Sequence, residues 1–332
     1  MKNILISGAL GFLGNNFSIF LANNFPMYKI IAVDNENDEK YINNKQRFNN
    51  VSNILYIKGD LKDKSFINKI LNEHKGMFSH FSFGNIDVIY AFAFNSDINI
   101  LDISSSKTPL NNIYLPINLA IAAIKNWQSL NNKNFVYISS TDVYGYLDTE
   151  KQFDEESKLM PSTLKGSVHA ANELILQSLH FDHNLPLTTF RISNYFGPGC
   201  QHKNIPTTIL KNIFFNYPIT LTISKNSIIN VIFYEDLIYG LEHGLKIRGK
   251  FNIFNLGGEN ISINDFIEIA ITIAKHKFNR VYDKEINYRV DKKYNSSISM
   301  DKAFKILGWK NYTLLEDAIE KTFAYFISNS TH

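Results

Sequence analysis

The N-terminal part of the chain alternates short apolar runs with longer amphipathic stretches. The runs have the length of strands buried on both faces and lack polar alternation; they occupy residues 3–7, 30–34, 54–57, 88–93, 135–139 and 187–191. Between them, apolar residues at helical spacing predict helices that begin near Phe12 and lie near residues 63–74, 112–127 and 165–182. Strands that alternate with helices predict right-handed crossovers and therefore a parallel, doubly wound α/β sheet.

The pattern changes beyond Gly197-Pro198-Gly199, where the elements become shorter and the loops more polar. Strand-like segments lie at 219–223 and 228–233, helical segments at 206–215, 235–246, 262–276 and 314–327, and polar, Asn-rich connections at 34–53 and 291–299. This texture predicts a first domain over residues 1–195, to which segments near 228–250 return, and a smaller mixed lobe mainly over residues 196–332. In open sheets of this kind, ligands bind at the carboxyl ends of the strands, over which we expect the lobe to close.

Composition narrows the class of protein. With 332 residues, 45% of them hydrophobic and 20% charged, the chain resembles an ordinary globular protein. The net charge is only +3 and the basic residues are scattered, so nucleic acid is not an expected partner. Cys200 is the single cysteine, which excludes an internal disulfide and fits a reducing cytoplasm. No apolar run has the length of a membrane span, so the sequence predicts a cytoplasmic protein without a membrane partner. It also predicts no metal site.

A glycine-punctuated loop follows the first predicted strand. Gly8 permits a tight turn, Gly11 lets backbone N–H groups approach a phosphate, and Gly14 lets the following helix lie close to the strand. Asp34 ends the second strand, where its carboxylate can accept hydrogen bonds from both ribose hydroxyls and would repel a 2'-phosphate. The combination predicts a dinucleotide site that takes NAD in preference to NADP.

Further motifs follow the glycine loop along nearly the whole chain. They are Gly59-Asp60-Leu61, Asp87-Val-Ile-Tyr-Ala-Phe-Ala93, Asn112, Ser139-Ser140-Thr141-Asp142-Val143-Tyr144-Gly145, Arg191-Ile-Ser-Asn194-Tyr-Phe-Gly197-Pro198-Gly199, Ile205-Pro206, Tyr234-Glu235-Asp236-Leu237, Phe254-Asn255-Leu256-Gly257-Gly258 and Asp301-Lys-Ala-Phe-Lys-Ile-Leu307-Gly308-Trp309. In this order they resemble the extended short-chain dehydrogenase/reductases, specifically the nucleotide-sugar epimerases and dehydratases. The resemblance implies a Rossmann-type domain, NAD, a sugar-nucleotide substrate and a homodimer formed through the helices near 112–127 and 165–182.

The resemblance also implies most of the cofactor site. Asp60, just past the third strand, is placed to accept from the adenine amino group, and Ala91 and Ala93 leave room for the adenosine half. Asn112 is a poor helix former inside a predicted helix, which favours a buried polar role over a place on a solvated face. The remaining predicted cofactor contacts are Phe12, Leu13, Asn35, Leu61, Phe92, Ser139, Lys165 and His169.

Two side chains after the fifth strand are candidate catalytic groups. The Ser140 hydroxyl could hydrogen-bond a sugar oxygen that is being oxidised, or it could cap the next turn. In family members that remove water or carbon dioxide, an acid commonly occupies the slot of Asp142. A carboxyl there could exchange a proton with C5 or a C6 hydroxyl if desolvation raises its pKa, or it could be a solvated turn residue.

The sequence departs from the family at the catalytic dyad. Where the family has Tyr-x-x-x-Lys, this chain has Lys165 and His169, with Glu173 four residues further on. Three hypotheses stay open. Lys165 is the base if burial, bound nicotinamide and His169 lower its pKa; His169 is the base because its unperturbed pKa is near neutrality; or the dyad is lost and Lys165 is a solvated cation.

A second departure concerns the substrate. The family usually places an arginine for the nucleotide diphosphate where this chain has Ile229, so the substrate is either bound differently or is not a nucleoside diphosphate. The predicted substrate contacts are Arg191, Asn194, Ile205 and Arg289. The sequence therefore predicts NAD-dependent dehydration or epimerisation of an activated sugar, in bacterial surface-polysaccharide biosynthesis. The alternative is a catalytically silent NAD-binding protein with a structural or regulatory role.

Overall fold

A computed structural model describes residues 2–37, 39–72, 85–95, 109–146, 151–289 and 293–329. Along these residues the strands are β1 (Asn3–Ser7), β2 (Lys29–Asp34), β3 (Ile54–Lys58), β4 (Val88–Ala91), β5 (Asn134–Ser140), β6 (Leu187–Ile192), β7 (Asn194–Phe196), β8 (Ile219–Leu221), β9 (Ile228–Phe233), β10 (Asn252–Leu256), β11 (Glu259–Ser262) and β12 (Ile286–Tyr288). The α-helices are α1 (Phe12–Asn24), α2 (Lys64–Asn72), α3 (Pro109–Asn126), α4 (Leu164–His183), α5 (Ile205–Phe214), α6 (Tyr234–Glu242), α7 (Ile263–Phe278), α8 (Asp301–Leu307) and α9 (Leu315–Asn329). Short 3-10 helices cover Glu39–Phe48, Thr141–Tyr144 and His243–Leu245.

The chain forms two compact units. The first comprises residues 1–143, 163–190 and 241–253, and the second comprises residues 144–162, 191–240 and 254–332. We refer to them as unit 1 and unit 2.

Unit 1 is built on a seven-stranded sheet in the order β10-β6-β5-β4-β1-β2-β3. The pairs from β5 to β3 are parallel, because each strand is followed by a helical crossover that returns the chain to the same edge. One face of the sheet packs on α2, α3 and α4 through Leu5, Ile89 and Phe135, all fully buried. The carboxyl ends of β1, β2, β4 and β5 therefore lie along one edge of the sheet. The predicted parallel, doubly wound sheet is confirmed.

Unit 2 contains a three-stranded sheet, β11-β9-β7, and a two-stranded sheet, β12-β8. Its apolar core joins α5, α7 and α9 to β9, with Ile209, Phe266 and Phe323 fully buried. The predicted mixture of short strands and helices is present here. The last two positions of the helix predicted at 63–74, and residues 291–292 of the predicted polar connection, lie outside the described residues.

Several elements were not predicted from the sequence. They are β7, β10, β11, β12, α8 and the 3-10 helix Glu39–Phe48, which lies in a predicted connection. β10 was missed because polar residues interrupt its apolar pattern. Asn255, for example, is fully buried but accepts a hydrogen bond from the Tyr144 hydroxyl at 2.7 Å and donates one to the carbonyl of Ser299 at 3.1 Å. A strand whose amides are paired in this way carries no signal of alternating hydrophobicity.

Candidate active site

The glycine loop connects β1 to α1 through a turn that only small residues allow. Gly8 has a φ of +67°, and a Cβ at this position would lie 2.8 Å from the backbone nitrogen of Ala93. A Cβ on Gly14 would lie 2.3 Å from the carbonyl oxygen of Gly8. The N-cap of α1 is Gly11, which brings no side-chain acceptor to the first N–H groups of the helix. Those N–H groups, at the positive end of the helix dipole, suit an anionic group such as a phosphate.

Asp34 lies at the carboxyl end of β2 and is tied to the same loop. Its Oδ2 accepts from the backbone N–H of Leu10 at 3.0 Å, and its Oδ1 accepts from the backbone N–H of Glu36 at 3.0 Å. Desolvation raises the pKa of the Asp34 carboxyl, although these hydrogen bonds oppose the rise. Asn35 follows directly, and its Oδ1 accepts from the backbone N–H of Asn37 at 3.2 Å.

Other predicted cofactor residues lie along the same edge of the sheet. Asp60 follows β3, and its Oδ1 accepts from the backbone N–H of Lys62 at 2.9 Å. Asn112 on α3 is fully buried, and its amide pairs with both backbone groups of Asn95, at 2.7 and 2.9 Å. Asn112 thereby holds the segment that leaves β4. The other predicted residues nearby are Leu61, Ala91, Phe92 and Ala93, of which Leu61 and Ala91 are buried.

The end of β5 presents two serines with different surroundings. Ser139 is buried, and its hydroxyl donates to Oε1 of Glu173 on α4 at 2.5 Å. Ser140 accepts from the backbone N–H of Asp142 at 3.2 Å, so that its oxygen shapes the turn that follows the strand. The hydroxyl of Ser139 is thus engaged with α4, whereas Ser140 lies beside Asp142. Of the two, Ser140 is the one next to a candidate catalytic group.

Lys165 and Asp142 form an ion pair in unit 1. Lys165 Nζ lies 3.3 Å from Asp142 Oδ2, and each side chain is about one third exposed. Lys165 occupies the first turn of α4, which Thr163 caps by accepting from the N–H of Gly166 at 3.0 Å. A cation is disfavoured at a helix N-terminus, and the carboxylate of Asp142 offsets that cost. Lys165 is therefore a paired cation and not a solvated one.

The ion pair sets the charge state of Asp142. Desolvation disfavours the carboxylate, but the Lys165 ammonium, the His169 ring and the hydrogen bond with Ser140 together hold the pKa of Asp142 below its ordinary value. Asp142 is consequently a carboxylate near neutral pH. The condition set above for proton exchange by Asp142, that desolvation raises its pKa, is not met, because Lys165 provides the opposing charge.

His169 lies one turn beyond Lys165 and is buried. Its Nδ1 is 2.8 Å from the Tyr137 hydroxyl, and its ring stacks on Phe94 with centroids 4.2 Å apart. Burial, reinforced by the nearby Lys165 charge, lowers the pKa of His169 to about 3. The hypothesis that His169 titrates near neutrality is therefore wrong. The ring is neutral at physiological pH.

Sequence reasoning did not find the residues that surround His169. Tyr137 belongs to the apolar run of β5, Phe94 follows β4, and Asn172 lies on α4 between the predicted positions. A tyrosine in a buried strand looks like a packing residue until its hydroxyl is seen beside the histidine. The only signal was the offset of three between His169 and Asn172, which puts both on one helical face.

The four predicted substrate residues lie in unit 2. Arg191 is buried, donates to the Tyr144 hydroxyl at 2.8 Å and to the Glu155 carbonyl at 3.2 Å, and stacks over the Tyr144 ring. Asn194 donates to the carbonyl of Asn230 at 3.2 Å. Ile205 is the first residue of α5, and Arg289 is an exposed residue just after β12. Their roles toward a substrate stay predictions.

Ile229, at the position where the family usually has an arginine, lies in the apolar core of unit 2 and pairs with Ile261 of β11.

Two further features are absent from the described residues. Among these residues, no cluster of three His, Cys, Asp or Glu side chains has the arrangement of a metal site. In the same residues, we find no helix with the length and hydropathy needed to span a membrane.

The chain is similar to known proteins over nearly its whole length. Residues 5–322 match the family model of GDP-mannose 4,6-dehydratase. The human dTDP-D-glucose 4,6-dehydratase is 24% identical over 99% of this chain and 91% of that protein. The trifunctional UDP-glucose 4,6-dehydratase/UDP-4-keto-6-deoxy-D-glucose 3,5-epimerase/UDP-4-keto-L-rhamnose-reductase RHM2 of Arabidopsis thaliana is 26% identical over 99% of this chain. The chain spans only 47% of that Arabidopsis protein.

Solved structures agree in fold. UDP-glucuronic acid 4-epimerase from Bacillus cereus, in complex with UDP-glucuronic acid and NAD, superposes with a TM-score of 0.82 at 20% identity, covering 98% of this chain and 99% of that one. The dTDP-glucose 4,6-dehydratase from Bacillus anthracis, in complex with NAD, gives a TM-score of 0.79 at 20% identity, covering 99% and 98%. Since the family model spans nearly the whole sequence, the chain belongs to the GDP-mannose 4,6-dehydratase family.

Proposed function

We propose that this protein is an NAD-dependent enzyme that acts on a nucleotide-linked sugar through a transient keto-sugar, with dehydration or epimerisation as the net reaction. The observation that carries the proposal is the Lys165–Asp142 ion pair beside Ser140 at the end of β5. It lies in the same unit as the glycine loop and Asp34. Family membership supports the reaction class, and the charged pair supports turnover over a silent binding role.

The residues of unit 1 fit a dinucleotide. The glycine loop leaves no room for a Cβ at Gly8 or Gly14, so backbone approaches backbone closely there, and the N-terminus of α1 suits a pyrophosphate. Asp34 keeps lone pairs on both carboxylate oxygens for ribose hydroxyls. A dinucleotide held by this loop and Asp34 would supply the hydride acceptor for the oxidised sugar carbon and, once reduced, the hydride donor. Several similar structures are themselves NAD complexes.

Ser140 and Asp142 at the end of β5, together with Lys165 on α4, provide the groups for proton transfer. The Ser140 hydroxyl polarises the sugar oxygen at the carbon that is oxidised. The Asp142 carboxylate, which the Lys165 ammonium keeps ionised at a distance of 3.3 Å, accepts the proton of that oxygen and releases it to solvent. Once the sugar carries a carbonyl, the adjacent C–H is acidic, and the Asp142 carboxylate exchanges a proton there. His169, which is neutral, does not serve as the base.

The cofactor assignment predicts a preference for NAD over NADP. A 2'-phosphate placed against the Asp34 carboxylate should cost at least about 1.4 kcal/mol, which is a tenfold difference in affinity. Calorimetric titration of the purified protein should therefore give at least tenfold tighter binding of NAD. The variant Asp34→Asn should lose most of this preference, and equal affinities in the unmodified protein would reject the assignment.

Incubation of the NAD-loaded protein with UDP-, dTDP- and GDP-hexoses tests the proposal, with mass spectrometry and NMR of the products. We expect at least one of them to lose one water or to change its configuration. A matched variant, Lys165→Tyr with His169→Lys, restores the family dyad. If only this variant turns over a sugar nucleotide, the natural chain is silent and the proposal fails.

Three finer predictions are part of the proposal. A role in bacterial surface-polysaccharide biosynthesis and a cytoplasmic location follow only from the reaction class. A homodimer is supported by exposed apolar side chains on the packed helices α3 and α4. These side chains are Leu110, Tyr114, Ile121, Leu174, Ile175 and Phe181. Sedimentation of the purified protein tests the dimer directly.

A further inference from the structure

His169 is the last member of a series of buried polar groups that are joined by hydrogen bonds. Asn172 Nδ2 is 3.1 Å from the backbone carbonyl oxygen of Asn112 and 3.0 Å from the Tyr137 hydroxyl. The Tyr137 hydroxyl is in turn 2.8 Å from Nδ1 of His169. Asn112, Tyr137, His169 and Asn172 are all buried and belong to α3, β5 and α4 of unit 1. No step of the reaction described above uses Tyr137 or Asn172.

The number of protons on each group decides which group donates in each of these hydrogen bonds. The Asn172 amide nitrogen has two protons, and two oxygens are in reach, so it donates to both. The reverse orientation of the amide would set Oδ1 against the carbonyl oxygen of Asn112. The Tyr137 oxygen therefore accepts from Asn172, and its single proton is donated to the other partner, His169 Nδ1. Among the described residues, the Tyr137 hydroxyl has no other hydrogen-bond partner.

The direction fixes the tautomer of His169. Because Nδ1 accepts a hydrogen bond, the proton of the neutral ring is on Nε2. Within the described part of the chain, no residue accepts from Nε2. We propose that Tyr137 is a positioning residue, which holds His169 as the Nε2–H tautomer so that the histidine donates a hydrogen bond to an oxygen of the bound dinucleotide. The identity of that ligand rests on the proposed function, whereas the tautomer does not.

The surroundings of His169 favour a neutral donor at this position. Phe94 covers one face of the ring, and the charged groups that act on it are Lys165 and Asp142. Since Lys165 already brings a cation to the preceding turn, a second cation at position 169 would be its neighbour at i,i+4, where like charges are destabilising. The neutral imidazole supplies a donor without that repulsion. The lowered pKa of His169 agrees with this arrangement.

Nitrogen-15 NMR of the histidine side chains tests the tautomer without any ligand. In the unmodified protein, His169 should give the signature of a single Nε2–H tautomer that does not titrate between pH 5 and 8. In Tyr137→Phe, the hydrogen bond to Nδ1 is lost, and we expect the signals to shift toward a mixture of tautomers. The matched control is Tyr90→Phe, which removes another buried hydroxyl, bonded to the carbonyl of Leu241. It should leave the His169 signature unchanged.

An Nδ1–H signature, or titration of His169 above pH 5 in the unmodified protein, would overturn the proposal. The same holds if Tyr137→Phe folds and keeps the signature unaltered. If that variant does not fold, the measurement on the unmodified protein still decides.

The hydrogen bond from His169 to the dinucleotide is tested separately, by the NAD affinity of two variants. A glutamine at position 169 carries an amide donor, whereas leucine carries none. His169→Gln should keep NAD affinity within about threefold, and His169→Leu should weaken it by about tenfold, the value of one hydrogen bond. Equal affinities of the two variants would reject the donor role. If the protein binds no NAD at all but shows the Nε2–H signature, the proposed function fails and the positioning role of Tyr137 stands.

Discussion

Replacement of Lys165 by Met, or of Asp142 by Asn, should lower kcat by at least about a hundredfold while NAD binding persists. Each change breaks the 3.3 Å pair in which the Asp142 carboxylate accepts the proton of the sugar hydroxyl and the Lys165 ammonium keeps that carboxylate ionised. Proton transfer by a positioned side chain typically contributes that much to the rate. Steady-state kinetics on the sugar nucleotide identified as substrate, with calorimetric titration of NAD, measure both effects.

The matched control for the pair is on α8. Lys305 and Asp301 form an exposed ion pair with a distance of 3.8 Å, so Lys305→Met should leave kcat unchanged. His169→Gln should lower kcat by less than tenfold, because the neutral ring holds the cofactor and moves no proton. Unaltered kcat in both Lys165→Met and Asp142→Asn would remove the pair from the mechanism and direct attention to Ser140.

Acid should destabilise the folded chain through His169. Its pKa is about 3 in the folded state against an ordinary value of 6.5. Between these values the unfolded chain binds the extra proton, so the free energy of unfolding falls as the pH falls. The contribution of this one residue is present above pH 6.5, and about 2 kcal/mol of it should be lost between pH 7 and pH 5. Urea denaturation at the two pH values measures the change.

Comparison with His169→Gln isolates this contribution. The variant should lose about 2 kcal/mol less than the unmodified protein over the same interval, whatever its stability at pH 7. His276→Gln, at an exposed position on α7, should behave like the unmodified protein. An unmodified chain and a His169→Gln variant with equal pH dependence would mean that the ring is not held neutral.

The fold was largely predictable because its signals are local. Strands β1 to β6 are apolar runs, and helices α3, α4 and α7 have clear helical spacing, so they were found with ends within a few residues. Of the missed elements, β10 and β11 are held by buried amides that lie in them or in the neighbouring strand. Asn230, for instance, is buried in β9 and pairs with Gly258 and Asn260 across the sheet of unit 2. Such amides form hydrogen bonds with groups that are far away in the sequence. A local pattern of apolar and polar residues therefore does not reveal them.

The sequence indicated which residues of α4 lie together, but it did not indicate their charge states. Spacing of four along α4 indicated that Lys165 and His169 share a helical face, and both lie there. Their charge states depend on partners from other elements. Asp142 lies on the turn after β5, and Tyr137 lies on β5 itself, so the sequence could not tell that one residue would be paired and the other held neutral. The binding roles of the individual residues stay predictions.

One measurement tests the central claim, that the Lys165–Asp142 pair serves proton transfer to sugar carbon during turnover. The NAD-loaded protein is incubated with its sugar nucleotide in heavy water, and the product is examined by mass spectrometry and NMR. The account predicts one solvent deuterium at the ring carbon beside the oxidised carbon, and its loss in Asp142→Asn together with turnover. A product free of deuterium, or an NAD-loaded protein that converts none of the sugar nucleotides, would contradict it.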